Sequence, residues 1–183
     1  MSELIKFGTD GWRAIIGADF TVQNVARVSE ATGLWLKQKY INPTVIVGHD
    51  CRFAGELFME TVAKVLVQQG IKVKMARGFV STPMISLAAN QFKCEVGVII
   101  TASHNPPSYN GFKLKAHFGG PLEPENVQVV EDLIPSSCTI DYSSVSIEHS
   151  IQSGKIELVD IEELYINHVK NNFDLNAISK SGM

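Results

Sequence analysis

Apolar residues recur at intervals of three and four over residues 21–38, which is the spacing of a helix with one buried face. This stripe consists of Val22, Val25, Val28, Ala31, Leu34 and Trp35. Asn42 and Pro43 end the helical pattern, and the short β-branched run at 44–48 predicts a strand. Three further elements follow, a helix over 54–69, a strand over 72–76 and a helix over 81–91. Strands and helices therefore alternate along this half of the chain.

Residues 95–101 form an almost continuously apolar run, which is typical of a strand buried on both faces of a sheet. The turn-rich segment 102–111 follows it, and the alternation over 112–116 predicts a more exposed strand. Residues 123–133 suit a closing helix. These elements predict an α/β fold with a mostly parallel sheet, in which ligands bind beyond the carboxyl ends of the strands. The segment 102–111 lies at such an end.

A change in composition divides the chain near residue 135. Residues 135–154 are rich in serine and poor in large apolar side chains, which predicts an exposed excursion. Apolar residues then recur at helical spacing over 161–173. We therefore predict one domain over 1–135, followed over 136–183 by the excursion and a helix that leads towards a further domain. Because the chain stops soon after that helix, we expect it to be part of a longer protein.

Composition and charge are those of an ordinary globular domain. The chain has 183 residues, of which 45% are hydrophobic and 19% are charged, so it can bury a core. Its 16 Lys and Arg against 19 Asp and Glu give a formal charge of -3, which leaves no general positive field for nucleic acid or an anionic membrane. We predict neither partner, and any bound anion must be held by local contacts.

Several other classes of site lack support in the sequence. No apolar run approaches the roughly 20 residues that cross a bilayer, and no signal peptide is visible, which predicts a cytoplasmic protein. The odd, widely spaced Cys51, Cys94 and Cys138 predict reduced thiols. The five histidines are scattered, and no carboxylate cluster has metal-ligand spacing. No P-loop or dinucleotide-binding glycine motif occurs.

Ser103 is the first candidate for chemistry because it follows the predicted buried strand. A rigid strand would hold its hydroxyl at the rim of the sheet, as a nucleophile or a phosphate carrier requires. His104 could supply a proton or a hydrogen bond, and Lys113 could bring a cation towards a phosphoserine. The alternatives are that Ser103 is a turn residue and that Lys113 is a solvated strand residue.

The N-terminal segment 7–13 holds two glycines, Asp10 and Arg13 within seven residues. It predicts a tight loop that aims the Arg13 guanidinium, which could bind a phosphate. A simple ion pair between Asp10 and Arg13 across the turn is the alternative. The segment 48–52 also follows a strand, and its charged pair Asp50 and Arg52 is better explained as loop stabilisation than as part of a site.

Three segments, in one order along the chain, resemble the α-D-phosphohexomutases, the family of the phosphoglucomutases and phosphomannomutases. They are FGTDGWR at 7–13, GHDCR at 48–52 and TASHNPPSYNGFK at 101–113. The resemblance covers about residues 5–175. It implies that the chain is the first of four domains, with a three-layer α/β fold in which a mixed, mostly parallel sheet lies between helices.

The resemblance implies a role for each candidate residue. Ser103 matches the phosphorylated serine, which gives its phosphoryl group to a hexose phosphate and recovers one from the hexose 1,6-bisphosphate, so that phosphate moves between O1 and O6. His104 and Lys113 match residues beside that serine, with Lys113 a candidate for proton transfer. Arg13 matches an arginine that contacts the site, and Asn105 shapes the loop. The implied cofactor is Mg²⁺, to which this chain could offer only a phosphate oxygen on Ser103.

The family's Asp-Gly-Asp metal loop, its sugar-recognition loop and its second phosphate-binding loop do not occur in the sequence. We therefore expect the chain to need the remaining domains of a longer protein, and to turn over no hexose phosphate alone. Trp12 and the segment 109–113 are more similar to the glucose and mannose enzymes than to the phosphoglucosamine branch. The alternative is a free-standing module that binds phosphate, or regulates, without turnover.

Overall fold

Six strands form one sheet in the computed structural model, which describes residues 4–182. The strands are β1 (Trp12–Ile15), β2 (Thr44–His49), β3 (Lys72–Phe79), β4 (Val96–Ile100), β5 (Tyr109–Ala116) and β6 (Ile156–Val159). They lie in the order β1-β5-β4-β2-β3-β6. The pairs β4–β2, β2–β3 and β3–β6 are parallel, whereas β5 is antiparallel to both β4 and β1. The predicted mixed, mostly parallel α/β sheet is confirmed.

Helices cover both faces of this sheet. Those in the described part of the chain are α1 (Val22–Lys39), α2 (Gly55–Gln68), α3 (Thr82–Gln91), α4 (Pro124–Asp132), α5 (Ile147–Gln152), α6 (Ile161–Asn172) and α7 (Leu175–Lys180). One face packs against α1 and α2, with α4 and α5 beside them, and the other packs against α3 and α6. The result is the three-layer arrangement that the family resemblance implied.

Strand β4 shows how the two halves of the core meet. Ile100 is buried in the larger apolar cluster, together with Phe58 of α2, whereas its neighbour Ile99 is buried in the smaller cluster with Ile85 of α3. Successive side chains of a strand point to opposite faces, so both faces of β4 must be covered. The prediction of a central strand buried on both sides is therefore correct.

Strand β5 corrects the prediction of a more exposed strand over 112–116. Every residue of β5 except its first is buried. The reason is β1, a four-residue strand too short to be predicted, which pairs along the outer edge of β5 and sets Trp12 opposite Phe112. Burial of this strand takes the lysines Lys113 and Lys115 out of solvent, so they are not solvated strand residues.

The segment after residue 135 is tied to the rest of the fold. Two buried charged side chains of α1 hold its beginning, since Arg27 Nε donates to the Pro135 carbonyl at 2.6 Å and Glu30 accepts from the Thr139 N–H at 2.8 Å. Further on, β6 pairs in parallel with β3. The sheet thus continues beyond the predicted boundary, and a division into domains at 135 stays a prediction.

Two other predictions can be compared with the described residues. The cysteines are free thiols, and burial raises the pKa of Cys94 to about 12 and that of Cys138 to about 11. Within residues 4–182, no helix combines the length and the apolar character that crossing a membrane requires.

Candidate active site

The Ser103 loop, residues 101–109, joins β4 to β5 at the carboxyl edge of the parallel strands and includes the first residue of β5. Ser103 has a backbone φ of +54°, a left-handed conformation that costs an L-residue roughly 1–2 kcal/mol. Its N–H donates to the Thr101 hydroxyl at 3.1 Å, and its side chain is exposed. An exposed hydroxyl on a strained but hydrogen-bonded backbone is a feature of functional loops.

His104 lies directly beside this hydroxyl. Its Nδ1 is 3.4 Å from Ser103 Oγ, and both side chains are exposed. That separation is long for a hydrogen bond, so the ring is held only weakly. The imidazole is nevertheless within reach of any phosphate oxygen attached to Ser103 Oγ.

Arg13 reaches the same loop from the other end of the chain. Strand β1 sets Arg13 opposite Gly111 of β5, and Arg13 Nη1 donates to Asn105 Oδ1 at 2.8 Å. The guanidinium is half-buried, which leaves part of it accessible. The N-terminal loop therefore does aim a cation at the Ser103 loop, through Asn105.

Asp10 pairs with two lysines and not with Arg13, which rules out the simple ion pair considered as an alternative. Asp10 Oδ2 accepts from Lys113 Nζ at 2.7 Å, and Oδ1 accepts from Lys115 Nζ at 2.8 Å. Burial acts to raise the pKa of Asp10, but the hydrogen bonds and positive charges of Lys113 and Lys115 outweigh it and hold this pKa below its usual value. The carboxylate therefore stays ionised between two buried cations.

Gly11 allows the N-terminal loop to lie directly on β5. Its φ is +96°, and a Cβ at this position would lie 2.6 Å from the Phe112 carbonyl oxygen and 2.8 Å from Lys113 Cγ. Only a residue without a side chain fits so close to the strand. This contact places Asp10, the preceding residue, at the ends of the two lysines.

Arg52 is the best-bonded side chain of the site, although the sequence assigned it only to loop stabilisation. Nη1 donates to the carbonyls of Pro106 at 2.9 Å and Tyr109 at 3.0 Å. Nη2 donates to those of Ser103 at 2.8 Å and Asn105 at 2.7 Å. Its fixed position follows β2, the neighbour of β4, so the meeting of parallel strand ends at one edge could have indicated this contact.

Asp50 completes the connection between Arg52 and the loop. Its Oδ1 accepts from the Arg52 N–H at 3.0 Å, while its Oδ2 lies 3.6 Å from Arg52 Nε and accepts from the Thr101 hydroxyl. The prediction that Asp50 and Arg52 stabilise a loop is consistent with these contacts. The loop in question is the one that carries Ser103.

The structure thus brings Arg13 of β1 against the loop that carries Ser103 and His104. Lys113 lies on the adjoining strand, where its Nζ is bonded to Asp10, and within residues 4–182 no hydrogen bond joins it to Ser103 or His104. An open cleft of about 420 Å³ borders the loop on the side of Thr101 and Asp50, and its apolar wall includes Phe79 and Met84.

A metal ion has no ready-made protein site here. Among residues 4–182, no group of three or more His, Cys, Asp or Glu side chains is arranged to hold one. The nearby carboxylates are already used, since Asp10 bonds two lysines and Asp50 bonds Arg52 and Thr101.

Comparison with known proteins decides the family. The model for phosphoglucomutase/phosphomannomutase, alpha/beta/alpha domain I, matches residues 4–139. The chain belongs to the α-D-phosphohexomutase family. The resemblance predicted from the three sequence segments is confirmed, and the phosphohexomutase domain I fold with it.

Relatives of this phosphohexomutase domain agree with that assignment. A phosphoglucomutase/phosphomannomutase of Thermococcus kodakarensis is 35% identical over 95% of the chain and 37% of its own length. A phosphoglucosamine mutase of Helicobacter pylori is 31% identical over 91% of the chain and 37% of its own length. The solved structure of a Thermus thermophilus protein, assigned as a phosphomannomutase, superposes with a TM-score of 0.86 at 35% identity, over 98% of this chain and 38% of the other. The chain thus spans little more than a third of these relatives.

Proposed function

We propose that this domain carries the phosphoryl group of a hexose phosphate mutase on Ser103, within a longer protein. The observation that carries the proposal is the position of the Ser103 hydroxyl. It is exposed at the carboxyl edge of the sheet on a left-handed residue, with His104 Nδ1 at 3.4 Å and Arg13 bonded to the same loop. A turn serine needs neither the strained backbone nor an imidazole and a guanidinium beside it.

The reaction consists of two phosphoryl transfers. In the first, the hydroxyl oxygen of a hexose monophosphate loses its proton and forms a bond to the phosphorus on Ser103, while the P–O bond to Ser103 Oγ breaks and this oxygen takes up a proton. The products are a hexose bisphosphate and the free Ser103 hydroxyl. After the sugar turns round, Ser103 Oγ loses its proton and forms a bond to the other phosphorus, while the P–O bond to the sugar breaks and the sugar oxygen takes up a proton. The net change moves phosphate between O1 and O6, with the 1,6-bisphosphate as intermediate.

Charge neutralisation accounts for the residues around Ser103. A phosphoserine carries about -1.5 to -2 charges at neutral pH, and a loosely bonded phosphoryl group in transfer needs cations and hydrogen-bond donors fixed around it. Arg13, His104 and Arg52 lie on or against the loop that holds it. When bound through the phosphate on Ser103, Mg²⁺ would supply further neutralisation of the phosphate oxygens.

Lys113 is the proposed group for proton exchange with the sugar hydroxyl. The proton that the attacking hydroxyl loses is proposed to leave by way of Lys113, and a proton returns by the same route when the second transfer regenerates a sugar hydroxyl. The charged groups bonded around it are Asp10, which accepts its hydrogen bond, and Lys115, which shares that carboxylate. The buried Lys113 and Lys115 and the partly exposed Asp10 form one hydrogen-bonded group between the N-terminal loop and β5.

Substrate choice and turnover belong to the longer protein. Since the chain spans about 37% of its curated relatives, sugar contacts and the main metal ligands are proposed to come from the other domains. The relatives include enzymes named for glucose, mannose and glucosamine phosphates. The proposal therefore names the substrate class, a hexose monophosphate, with glucose and mannose phosphates as the first candidates.

The test is the phosphorylation state and activity of the complete protein, expressed from its own gene. We expect about 80 Da of added mass on the peptide that contains Ser103, together with interconversion of glucose or mannose 1- and 6-phosphates. Ser103→Ala should lose both, whereas Ser108→Ala, an exposed serine of the same loop, should keep both. A 20.1 kDa product with no phosphate and no turnover would contradict the proposal and favour a free-standing binding module.

A further inference from the structure

The backbone of the Ser103 loop has few bonds of its own. Inside it, the Asn105 N–H donates to the Ala102 carbonyl and the Tyr109 N–H donates to the Pro106 carbonyl, each at 3.0 Å. Two consecutive prolines, at 106 and 107, have no N–H to donate. A loop of this kind needs partners from elsewhere in the fold to hold one conformation.

The Ile16 N–H donates to the Ser108 carbonyl at 2.8 Å and Arg13 bonds the Asn105 side chain, but the Arg52 guanidinium makes more bonds to the loop backbone than either. It makes four hydrogen bonds of 2.7 to 3.0 Å to loop carbonyls. Two reach the first half of the loop, at Ser103 and Asn105, and two reach the second half, at Pro106 and Tyr109. The arginine comes from the turn after β2 and is 51 residues from Ser103. We propose that Arg52 is the positioning residue of the phosphoryl carrier, which sets the direction of Ser103 Oγ by fixing the loop carbonyls.

Both backbone groups of Ser103 are connected to this arginine. Its carbonyl accepts directly from Arg52 Nη2, while its N–H donates to the Thr101 hydroxyl, which in turn donates to Asp50, the carboxylate beside Arg52. The left-handed conformation of Ser103 is therefore restrained from both sides. Such strain persists only where the surroundings enforce it.

Lysine cannot replace this arrangement. The planar guanidinium presents two terminal nitrogens at a fixed separation, and each of them bonds a pair of carbonyls here. An ammonium group has the same charge but a single nitrogen, so it can bond the carbonyls of one half of the loop and not those of both halves. Arg52→Lys thus separates geometry from charge.

This inference rests on the proposed function. If Ser103 gives up and recovers a phosphoryl group, Ser103 Oγ must lie in line with the phosphorus in both transfers, so its position affects the rate. A misplacement of about 1 Å can cost about 100-fold in rate. In the complete protein we expect Arg52→Lys to lower kcat by about 10- to 100-fold while the KM for hexose phosphate changes less than about 3-fold. Substrate contacts made by other residues would account for the stable KM.

The matched control is Arg77→Lys. Arg77 is an exposed arginine near the end of β3, at the same edge of the sheet. The Arg77→Lys variant should have the kcat, the KM and the phosphate on Ser103 of the wild type. Hydrogen–deuterium exchange gives a second readout that is independent of activity. In Arg52→Lys the exchange of residues 102–109 should be faster, while the exchange of β4 and the melting temperature should not change.

The outcomes separate the two proposals. If the wild-type protein carries no phosphate on Ser103, the proposed function fails and the catalytic part of this inference with it. If the wild type is phosphorylated and active but Arg52→Lys matches it in kcat and in loop exchange, only the role of Arg52 is overturned. Should Arg52→Lys not fold, Thr101→Val replaces it as the test, with faster loop exchange and lower kcat expected, and unchanged values overturning the proposal.

Discussion

Arg13 and Asn105 are joined by a 2.8 Å hydrogen bond between Nη1 and Oδ1, although 92 positions separate them in sequence. The bond links the N-terminal loop to the loop that carries Ser103. It exists because the antiparallel pairing of β1 with β5 places the N-terminal segment at the same edge as the end of β4. The segments 7–13 and 101–113, two of the three that resemble the family, therefore lie against each other in the fold.

The first prediction concerns this bond. Asn105→Ala should lower the free energy of unfolding by about 1 kcal/mol, because it removes a partly buried hydrogen bond to a charged group. Asn105→Asp should keep the bond and the stability, yet lower mutase turnover of the complete protein, because it adds negative charge beside the phosphate on Ser103. Urea denaturation and steady-state rates measure the two effects.

Asn167→Ala, on the exposed side of α6, is the control for that pair and should change neither quantity. Equal turnover of Asn105→Asp and the wild type would contradict the proposed placement of a phosphate at this loop.

The second prediction compares two glycines with positive φ. Gly11→Ala should cost about 3 kcal/mol or more, because its Cβ would lie 2.6 Å from the Phe112 carbonyl and force the N-terminal loop off β5. Gly17→Ala, with a φ of +82° and no atom within 4 Å of its Cβ, should cost only about 1 kcal/mol for its backbone conformation. Thermal or urea unfolding of both variants checks the order, and similar costs would show that the close approach is unimportant.

The sequence predicted the regular part of the fold well and the site only in part. Periodicity identified the β2, β4 and α1 patterns because each buries a regular set of side chains. It missed the four-residue β1 and predicted β5 as a strand but with the wrong exposure, since Lys113 and Lys115 are buried beside Asp10, 103 residues away from the first of them. No local pattern reports a contact of that range.

The same limit applied to Arg52. Its spacing after β2 indicated a loop contact, but the four carbonyls it bonds lie on a different loop and carry no signal in side-chain type. The sequence pattern named Ser103, His104, Lys113 and Arg13 as candidates, and the family resemblance implied a role for each. The structure adds the contacts around them, with His104 beside Ser103, Arg13 bonded to Asn105 and Lys113 bonded to Asp10.

The third prediction uses the left-handed conformation of Ser103. The free energy of unfolding of Ser103→Gly should exceed that of Ser103→Ala by about 1 kcal/mol in urea titrations, because glycine adopts a φ of +54° without the steric cost. Neither variant can carry phosphate, so both should lack turnover in the complete protein. A lower stability for the glycine variant would mean that the loop does not hold this strain.

The last prediction concerns pH and the Asp10 carboxylate. Its pKa in the folded chain is below the ordinary value of 3.8, because Lys113 and Lys115 outweigh the opposing effect of burial. A depressed pKa means that the native state holds the ionised form more strongly than the unfolded state does. The stabilisation is therefore complete above about pH 4 and is lost as the pH falls through the lower, folded-state value.

Asp10→Asn should thus destabilise the chain by about 2 kcal/mol at pH 7, a figure reduced from that of a fully buried pair because the Asp10 side chain is 34% exposed. The difference between wild type and variant should shrink as the pH is lowered below 4 in urea titrations. In a Lys115→Met background the same substitution should cost less, because one of the two cations that favour the carboxylate is gone. A cost that is independent of pH, or unchanged in that background, would show that Asp10 acts through its shape and not through its charge.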